Sequence, residues 1–260
     1  MKEPVCKEKA VAPGFWGELP RPILALAPMD DVTDAPFRRM VAKYGKPDVM
    51  FGEFVSVDGL CSVGRKNLLR DLIFDPSEHP VVAQLFGTDP QKFCESARLI
   101  RDLGFDGVDV NMGCPVKLVC KTGAGASLIK TPSLAKEIVL AAKEGAGQLP
   151  VSVKTRTGFE RHIMDEWLAT LLEVNPAAIT LHLRTAREMS KVDAHWELAA
   201  RAVDIVGDSP TVLIGNGDIE STERARALAA ETGLDGIMLG RAVFGNPWLF
   251  GSTKVAEVLL

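Results

Sequence analysis

Short apolar segments recur at a regular interval along the 260 residues of the chain. Each is six to eight residues long and is bounded by glycine, proline or polar residues. Several are rich in valine and isoleucine, which is typical of strands buried on both faces. The pattern predicts eight strands, at residues 23–29, 48–53, 81–87, 107–113, 151–158, 178–183, 211–217 and 235–241.

Amphipathic segments lie between most of these strands and carry helix start and stop signals. In one of them Thr131 is expected to be the N-cap, Pro132 occupies the first helical position and Gly145 is expected to follow the end. Apolar residues at helical spacing define the faces that would pack on a sheet. Helices are predicted at 90–104, 131–145 and 221–233, and residues 58–70 are expected to form a loop and a short helix.

Eight strands alternating with helices over this length predict a single-domain (β/α)8 barrel, a TIM barrel. An open, doubly wound sheet is the alternative, but it would require a GxGxxG turn after the first strand, where this chain has "APMDDVTDAP". We expect the barrel to span residues 23–260 after an N-terminal extension of residues 1–22. The chain ends within or just after the expected eighth helix, in "STKVAEVLL".

Composition indicates an ordinary globular protein, with 47% hydrophobic and 25% charged residues. No apolar run reaches the length that a membrane-spanning helix requires, and the N-terminus lacks the apolar core of a secretion signal. The five cysteines are scattered and odd in number, which argues against a disulfide framework and, by their spacing, against a metal site. We therefore expect a cytoplasmic protein without a bound metal.

The net charge of −4 does not by itself indicate a nucleic-acid-binding protein, but the charge is unevenly distributed. Residues 114–191 contain eleven Lys and Arg against seven Asp and Glu, so the remainder of the chain is more acidic than the average. This asymmetry indicates either a face that receives an anionic partner or a chance cluster of solvated side chains.

The ends of the predicted strands carry the candidate chemistry, because catalytic residues of a (β/α)8 barrel lie at the C-terminal ends of its strands. Most of these ends have polar, cationic or glycine residues, which core formation alone does not explain. The candidate residues at the strand ends are Pro28, Met29, Glu53, Gln84, Asn111, Cys114, Lys154, Arg156, His182, Arg184, Asn216, Gly217, Asp218, Gly240 and Arg241.

The last two strand ends, in "GNGDI" and "LGRA", predict a phosphate site. Their glycines allow a ligand to approach the backbone, and Arg241 adds a charged donor. Taken singly, these are ordinary turn glycines, and His182 alone is more typical of a core histidine. Together with the buried cation expected at Lys154, they indicate an anionic cofactor such as flavin mononucleotide (FMN).

The chain resembles the tRNA-dihydrouridine synthases from about Leu24 to Phe250, through "APMDDVTDAPFR", "VAQLFG", "NMGCPVK", "GAGASL", "VSVKTRTGF", "GNGDI" and "GRAVFGNPWLF". The resemblance implies a flavin enzyme that reduces uridine in tRNA, with NADPH as reductant and Cys114 as the catalytic acid. The FMN-binding residues that it implies are Pro28, Met29, Gln84, Lys154, His182, Asn216, Gly217, Asp218, Gly240 and Arg241.

In the reaction that this resemblance implies, reduced flavin gives a hydride to C6 of the uracil and an acid protonates C5. A thiol with an ordinary pKa of about 8.5 is mostly protonated at neutral pH and can supply that proton. Asn111 is expected to orient the flavin or the base. The cationic residues expected to contact the RNA backbone are Lys117, Lys121, Arg156 and Arg184.

Two departures from the family pattern affect the expected RNA contacts. The family sequence His-Gly-Arg-Thr-Arg is replaced by "HLRTA" from His182 to Ala186. The helical C-terminal domain of the family, which helps to bind tRNA, is expected to be absent or truncated here. We accordingly expect a monomer that binds tRNA weakly, and the sequence does not predict which uridine is modified.

Two other functions fit part of the pattern. One is an FMN barrel that acts on free pyrimidines or dihydropyrimidines, similar to the dihydroorotate dehydrogenases, which also place a cysteine or serine beside the flavin. The other is an RNA-binding barrel without catalysis, which the presence of Cys114 and of the full set of flavin residues disfavours.

Overall fold

The computed structural model describes residues 14–251, which form one parallel eight-stranded sheet. Neighbouring strands follow the order β1-β8-β7-β6-β5-β4-β3-β2. The sequence prediction of eight strands is confirmed, with ends displaced by up to three residues. The strands are β1 (Ile23–Leu26), β2 (Met50–Ser56), β3 (Val81–Phe86), β4 (Gly107–Met112), β5 (Val151–Gly158), β6 (Ala178–Thr185), β7 (Val212–Asn216) and β8 (Gly236–Leu239).

The sheet closes on itself between β1 and the residues that precede β2. The amide of Asp48 donates to the carbonyl of Leu24 at 2.8 Å, and the amide of Leu26 donates to the carbonyl of Val49 at 3.0 Å. Ala25 and Val49 form a parallel bridge. The fold is therefore the (β/α)8 barrel that the sequence predicts, and the open doubly wound sheet is excluded.

Helices follow the strands on the outside of the barrel, and their apolar faces cover it. In the helix after β3, Phe93, Ala97 and Ile100 are fully buried, as the sequence pattern predicts. Two short helices after β2 occupy the region from residue 57 to residue 68, where a loop and one short helix were predicted at 58–70. The helices are α1 (Ala35–Tyr44), α2 (Val57–Leu60), α3 (Arg65–Leu68), α4 (Pro90–Asp102), α5 (Lys117–Lys121), α6 (Pro132–Ala146), α7 (Met164–Leu172), α8 (Ala199–Val206) and α9 (Thr222–Thr232).

Gly145 lies inside α6, and the prediction that it follows the end of this helix was wrong. The helix continues to Ala146 and ends at Gly147, which has a φ of 65°. A Cβ atom on Gly145 would lie 2.0 Å from the carbonyl oxygen of Cys94 on α4. The glycine is therefore needed for close contact between α4 and α6, a tertiary reason that the local sequence does not reveal.

Trp16 closes the N-terminal end of the barrel. Its side chain is 1% exposed and belongs to an apolar cluster with Ile23, Ala25, Phe51 and Val82. The segment from Gly14 onward, which was expected to be part of an N-terminal extension, thus packs against the N-terminal end of the barrel. Residues 1–13 and the expected eighth helix in residues 252–260 lie outside the described part of the chain.

The turn after β1 is held by a buried arginine. Arg38 of α1 donates through Nε to Glu78 at 2.6 Å and through Nη1 to the carbonyl of Thr33 at 2.6 Å. The Thr33 hydroxyl accepts from the amide of Met29 at 2.9 Å. This chain of contacts fixes the position of Met29 at the C-terminal end of the barrel.

Between residues 14 and 251 there is no helix with the length and apolar character needed to cross a bilayer.

Candidate active site

A cavity of about 790 Å³ opens at the C-terminal ends of the strands, within the size range of small-ligand sites. Its wall contains nine of the ten residues predicted to bind the cofactor, all except Gln84, together with one predicted substrate residue. These ten wall residues are Pro28, Met29, Lys154, His182, Arg184, Asn216, Gly217, Asp218, Gly240 and Arg241. The structure thus brings together strand ends that are far apart in sequence, while the ligand that they hold remains a prediction.

Lys154 places a half-buried amine in this wall. Its Nζ donates to Oδ1 of Asn216 at 3.2 Å, and Nδ2 of Asn216 donates to the carbonyl of Met238 at 2.8 Å. Burial and, to a smaller extent, the nearby charge of Arg156 lower the pKa of Lys154 to about 8, against the opposing effect of Asp109. The side chain therefore carries a positive charge at neutral pH, but it loses that charge more readily than an ordinary lysine.

His182 is neutral, and its tautomer is determined by a neighbouring arginine. Nη1 of Arg184 lies 3.1 Å from Nε2 of His182. Because a guanidinium only donates, Nε2 accepts, and the ring proton therefore resides on Nδ1. Burial, followed by the charges of Arg156 and Lys154, holds the pKa of His182 far below its usual value. His182 is thus a neutral imidazole with its proton on Nδ1.

Glycines at the ends of β7 and β8 shape the cavity in different ways. Gly217 has a φ of 135°, and a Cβ there would approach Ala194 to 2.6 Å, so the protein itself requires glycine. At Gly240 a Cβ would meet Ala27 and Met29 at 3.5 Å, an ordinary contact distance. Protein contacts therefore do not demand a glycine at position 240, which is the situation expected where a ligand lies against the backbone.

Asp218 organises the cationic side of the cavity. Its carboxylate pairs with Arg184, with Nη2 of Arg241 at 2.9 Å and with the amide of Ala194 at 3.0 Å. Arg241 is 65% exposed, so its guanidinium lies at the mouth of the cavity. The role that these contacts give Asp218 is to orient two arginines.

Cys114 lies immediately beyond the end of β4 and is partly buried. Its amide and that of Gly113 donate to Oδ1 of Asn111 at 2.9 and 3.1 Å. Its carbonyl accepts from the amide of Ala126 at 3.0 Å, so the following loop folds back over it. Burial raises the pKa of the thiol, and the proximity of Cys120 and Asp30 raises it further. The thiol is consequently protonated at neutral pH.

A buried network of polar side chains supports Asn111 from below. Nδ2 of Asn111 donates to Oε1 of Gln84 at 2.9 Å, and Nε2 of Gln84 donates to Asp109 at 2.7 Å. Asp109 also accepts from the hydroxyl of Ser152 at 2.6 Å. Burial raises the pKa of Asp109 to about 6. The network joins β3, β4 and β5 to the backbone of Cys114.

Gln84 and Asn111 are thus engaged inside the protein and lie outside the cavity wall. Gln84 is 1% exposed, and Asn111 is 6% exposed. The predicted contacts of Gln84 with FMN and of Asn111 with the flavin or base stay predictions. The visible role of these two side chains is to position Cys114.

The four predicted RNA-contacting cations are in two different environments. Lys117 and Lys121 are exposed on α5. Arg156 is 6% exposed and donates to the carbonyls of Gly113, Thr185 and Met189, whereas Arg184 is 2% exposed and donates to Val192, His182 and Asp218. The donors of Arg156 and Arg184 are thus used to hold neighbouring loops, and contact of these two arginines with RNA stays a prediction.

One side of the cavity comes from the segment between β6 and α8, which the sequence analysis missed. Asp193, Ala194 and Trp196 lie in the wall, and Nε1 of Trp196 donates to the carbonyl of Gly217 at 2.9 Å. No strand-end position or spacing marks these residues, since they are in an irregular segment. The aromatic Trp196 with its polar edge is the one feature that could have drawn attention to it.

Solved structures similar to this one share its overall barrel fold. Morphinone reductase has a TM-score of 0.63 and 14% identity, covering 94% of this chain and 89% of its own. An old yellow enzyme homologue from Zymomonas mobilis has a TM-score of 0.59 and 14% identity, covering 86% of each chain. At this level of identity the likeness supports the fold alone.

Sequence relatives are much closer. A protein of Staphylococcus aureus (strain Mu50 / ATCC 700699) named "Probable tRNA-dihydrouridine synthase" is 45% identical over 240 residues, which are 91% of this chain and 73% of the relative. "Probable tRNA-dihydrouridine synthase 2" of Bacillus subtilis (strain 168) has the same identity and coverage. The family profile described as "Dihydrouridine synthase" matches residues 25–258. The chain therefore belongs to the dihydrouridine synthase family.

Proposed function

We propose that this protein reduces uridine in tRNA to 5,6-dihydrouridine, with bound FMN as cofactor and NADPH as reductant. The observation that carries the proposal is the protonated thiol of Cys114 beside the strand that bears Lys154. Asn111 of β4 and Lys154 of β5 are paired in register, so acid and cation belong to adjacent strand ends. Membership of the dihydrouridine synthase family supports uridine in tRNA as the substrate.

The residues of the cavity fit a flavin mononucleotide. Gly240 leaves room for a ligand against the backbone, and Arg241 at the mouth provides donors for a phosphate. Lys154 places a positive charge deeper in the cavity, where it would stabilise negative charge on the flavin ring. Nδ1 of His182 adds a neutral donor. The same wall offers one phosphate-type site, which fits FMN rather than a dinucleotide.

When bound in reduced form, FMN supplies the hydride that C6 of the uracil receives. Cys114 donates its thiol proton to C5, so that one hydride and one proton are added across the double bond. The raised pKa of the thiol keeps that proton in place until it is needed. Arg156 favours the thiolate that remains, and solvent returns the proton afterwards.

The polar network beneath Cys114 determines where its thiol lies. Asn111 holds the amides of Gly113 and Cys114, and Gln84 with Asp109 holds Asn111. General-acid catalysis requires hydrogen-bond reach to the reacting atom, so this support contributes to the rate through position. A uridine stacked in an RNA helix cannot reach such a cavity, so the nucleotide must be turned out of its stack.

The substitution Cys114→Ala tests the role of the thiol by separating the two half-reactions. We expect flavin reduction by NADPH to be nearly unchanged, because the thiol proton is used only when uridine is reduced. Uridine reduction should slow by about 10²- to 10⁴-fold, the usual effect of removing a general acid. Stopped-flow absorbance measures the first reaction, and mass spectrometry of unmodified tRNA incubated with the enzyme measures the second.

Cys61→Ala is the matched control, because Cys61 is also partly buried but contacts Ser96 and the carbonyl of Lys92, away from this cavity. It should leave both half-reactions unchanged. Equal losses in both half-reactions of Cys114→Ala would contradict the assignment of Cys114 as the acid. Reduction of free uridine or uracil in preference to tRNA would contradict the assignment of tRNA as substrate, and release of FAD would contradict FMN.

A further inference from the structure

Two histidines and a glutamate converge at one point outside the cavity. Nε2 of His195 lies 3.2 Å from Oε1 of Glu188, and Nε2 of His162 lies 3.9 Å from the same oxygen. All three ligand atoms are within 4.8 Å of one another. His162 belongs to the segment between β5 and α7, whereas Glu188 and His195 belong to the segment between β6 and α8.

The opposite atom of each side chain is held by a hydrogen bond. Nδ1 of His195 lies 3.0 Å from Oε1 of Glu197, and Nδ1 of His162 lies 2.8 Å from the hydroxyl of Thr157. Oε2 of Glu188 accepts from the amide of Thr185 at 2.7 Å. Metal-binding histidines usually donate their second ring N–H to a carboxylate or another acceptor in this way. With both Nδ1 atoms donating, the Nε2 lone pairs of the two imidazoles and one carboxylate oxygen would be available to the same metal ion.

The spacing suits a tetrahedral zinc ion. Ligands about 2.0–2.2 Å from zinc lie roughly 3.3–3.6 Å from each other, close to the separations of 3.2 and 3.9 Å. The three side chains are 36%, 25% and 29% exposed, so an ion can enter and keep a water as its fourth ligand. Two histidines and one glutamate are a known zinc ligand set.

Ion pairing alone accounts for only part of this geometry. Glu188 and Glu197 both pair with His195, whereas Nε2 of His162 lies beyond hydrogen-bond distance of Glu188. The ring centroids of His162 and His195 are 4.8 Å apart, and the two rings pack edge to face. One cation would be coordinated by both Nε2 atoms and the carboxylate oxygen together.

We propose that His162, Glu188 and His195 bind one Zn²⁺ ion that joins the loop after β5 to the loop after β6. The second loop also carries Asp193, Ala194 and Trp196 of the cavity wall, so the ion would hold that wall in place. The spacing of the cysteines predicted no metal site, and these ligands, which are separated by 26 and 7 residues, follow no such spacing. The proposal does not depend on the reaction proposed above.

Calorimetric titration of the tag-free protein with Zn²⁺ tests the site. We expect one saturable site, whereas Mg²⁺, which prefers oxygen ligands, should give none. His162→Gln, Glu188→Gln and His195→Gln should each weaken binding by more than about 100-fold. Glu197→Ala, which removes only the support of His195, should weaken it by about 10- to 100-fold. His79→Gln is the matched control, because His79 pairs with Asp106 outside the cluster, and it should bind as the unchanged protein does.

The absorption spectrum of the Co²⁺-bound protein distinguishes metal binding by these three side chains from metal binding by cysteines. This spectrum should lack thiolate-to-metal charge-transfer bands, and circular dichroism should show each variant to be folded. Failure to find a saturable Zn²⁺ site would overturn the proposal. So would binding that survives in the His162→Gln/His195→Gln double variant, or binding that is lost when the cysteines are blocked.

Discussion

Lys154 is the residue whose charge state most directly affects the candidate active site. Its amine is half-buried and donates to Asn216, and its pKa is lowered to about 8 by burial and by Arg156. Below this pKa the side chain is charged and attracts an anion, and above it the side chain is neutral. Anion binding at the cavity should therefore weaken as the pH rises through about 8.

We accordingly expect the affinity for FMN to decrease from neutral pH to values above the pKa of Lys154. Binding of the anion favours the protonated amine, so the loss begins somewhat above the pKa of the free protein. Quenching of flavin fluorescence at a series of pH values measures the affinity. Lys154→Gln should bind more weakly and without this pH dependence, and a Lys154→Gln variant with the same alkaline loss would show that another group is responsible.

The sequence predicts the position of Lys154 and His182 better than it predicts what Arg156 and Arg184 do. All four follow from their places at strand ends, which the barrel brings together. Whether a guanidinium reaches outward or turns back to loop carbonyls depends on partners that are distant in sequence, such as Met189 and Val192. The expectation that both arginines contact RNA used strand position alone, and it stays a prediction.

The polar network between β3, β4 and β5 operates at the scale of the elements. Asp109 accepts from Gln84 and from Ser152, one on each adjacent strand. The paired register of Gln84 with Asp109 and of Asp109 with Ser152 brings the three side chains level in the barrel. The local sequence does not predict this layer of hydrogen-bonded side chains, because Asp109 looks like a single polar residue within an apolar strand.

We expect Asp109→Ala to be clearly more destabilising than Asp109→Asn. Alanine leaves Nε2 of Gln84 without an acceptor, and an unsatisfied buried group costs about 1–3 kcal/mol. Asparagine can accept from Gln84, while its NH₂ donates to Ser152, whose hydroxyl turns to the carbonyl of Val108 at 3.5 Å. Urea unfolding measures both free energies. Similar losses in the two variants would show that the network is not organised by Asp109.

The effect of the charge of Asp109 is isolated by measuring urea unfolding of the unchanged protein and of Asp109→Asn at a series of pH values. Its pKa is raised from 3.8 to about 6 in the folded protein, so its ionised form is disfavoured there. The contribution of Asp109 to stability therefore decreases as the pH rises from 3.8 through about 6 and is constant above. Asp109→Asn lacks this contribution. Its free energy of unfolding, relative to that of the unchanged protein, should therefore increase as the pH rises from 3.8 through about 6.

Strands and helices themselves were largely predictable from sequence, because buried parallel strands and amphipathic helices have distinct periodicities. Ser221 and Gly233 cap α9 as expected. Gly145 shows the limit, since a glycine near the end of a helix signals termination locally, but here it permits contact with α4. Such a role depends on the neighbour, and no local pattern contains it.

At the scale of the whole molecule, charge is distributed unevenly over an acidic chain. The excess of cations in residues 114–191 suggested a face for an anionic partner, but Arg156 and Arg184 from that region are buried. Lys117 and Lys121 on α5 remain exposed, directly after Cys114. These two lysines are therefore the cations closest in sequence to the proposed acid that could meet a phosphate backbone.

We expect the double substitution Lys117→Gln/Lys121→Gln to weaken tRNA binding and reduce its dependence on salt. Each phosphate that a lysine neutralises contributes about 0.7–0.9 to the slope of log affinity against log salt, so the slope should fall by about 1.4–1.8. Fluorescence anisotropy at several salt concentrations measures it. Lys43→Gln is the control, because this exposed lysine lies in the last turn of α1, and it should leave the slope unchanged. An unchanged slope in the double variant would mean that RNA contacts other cations of the protein.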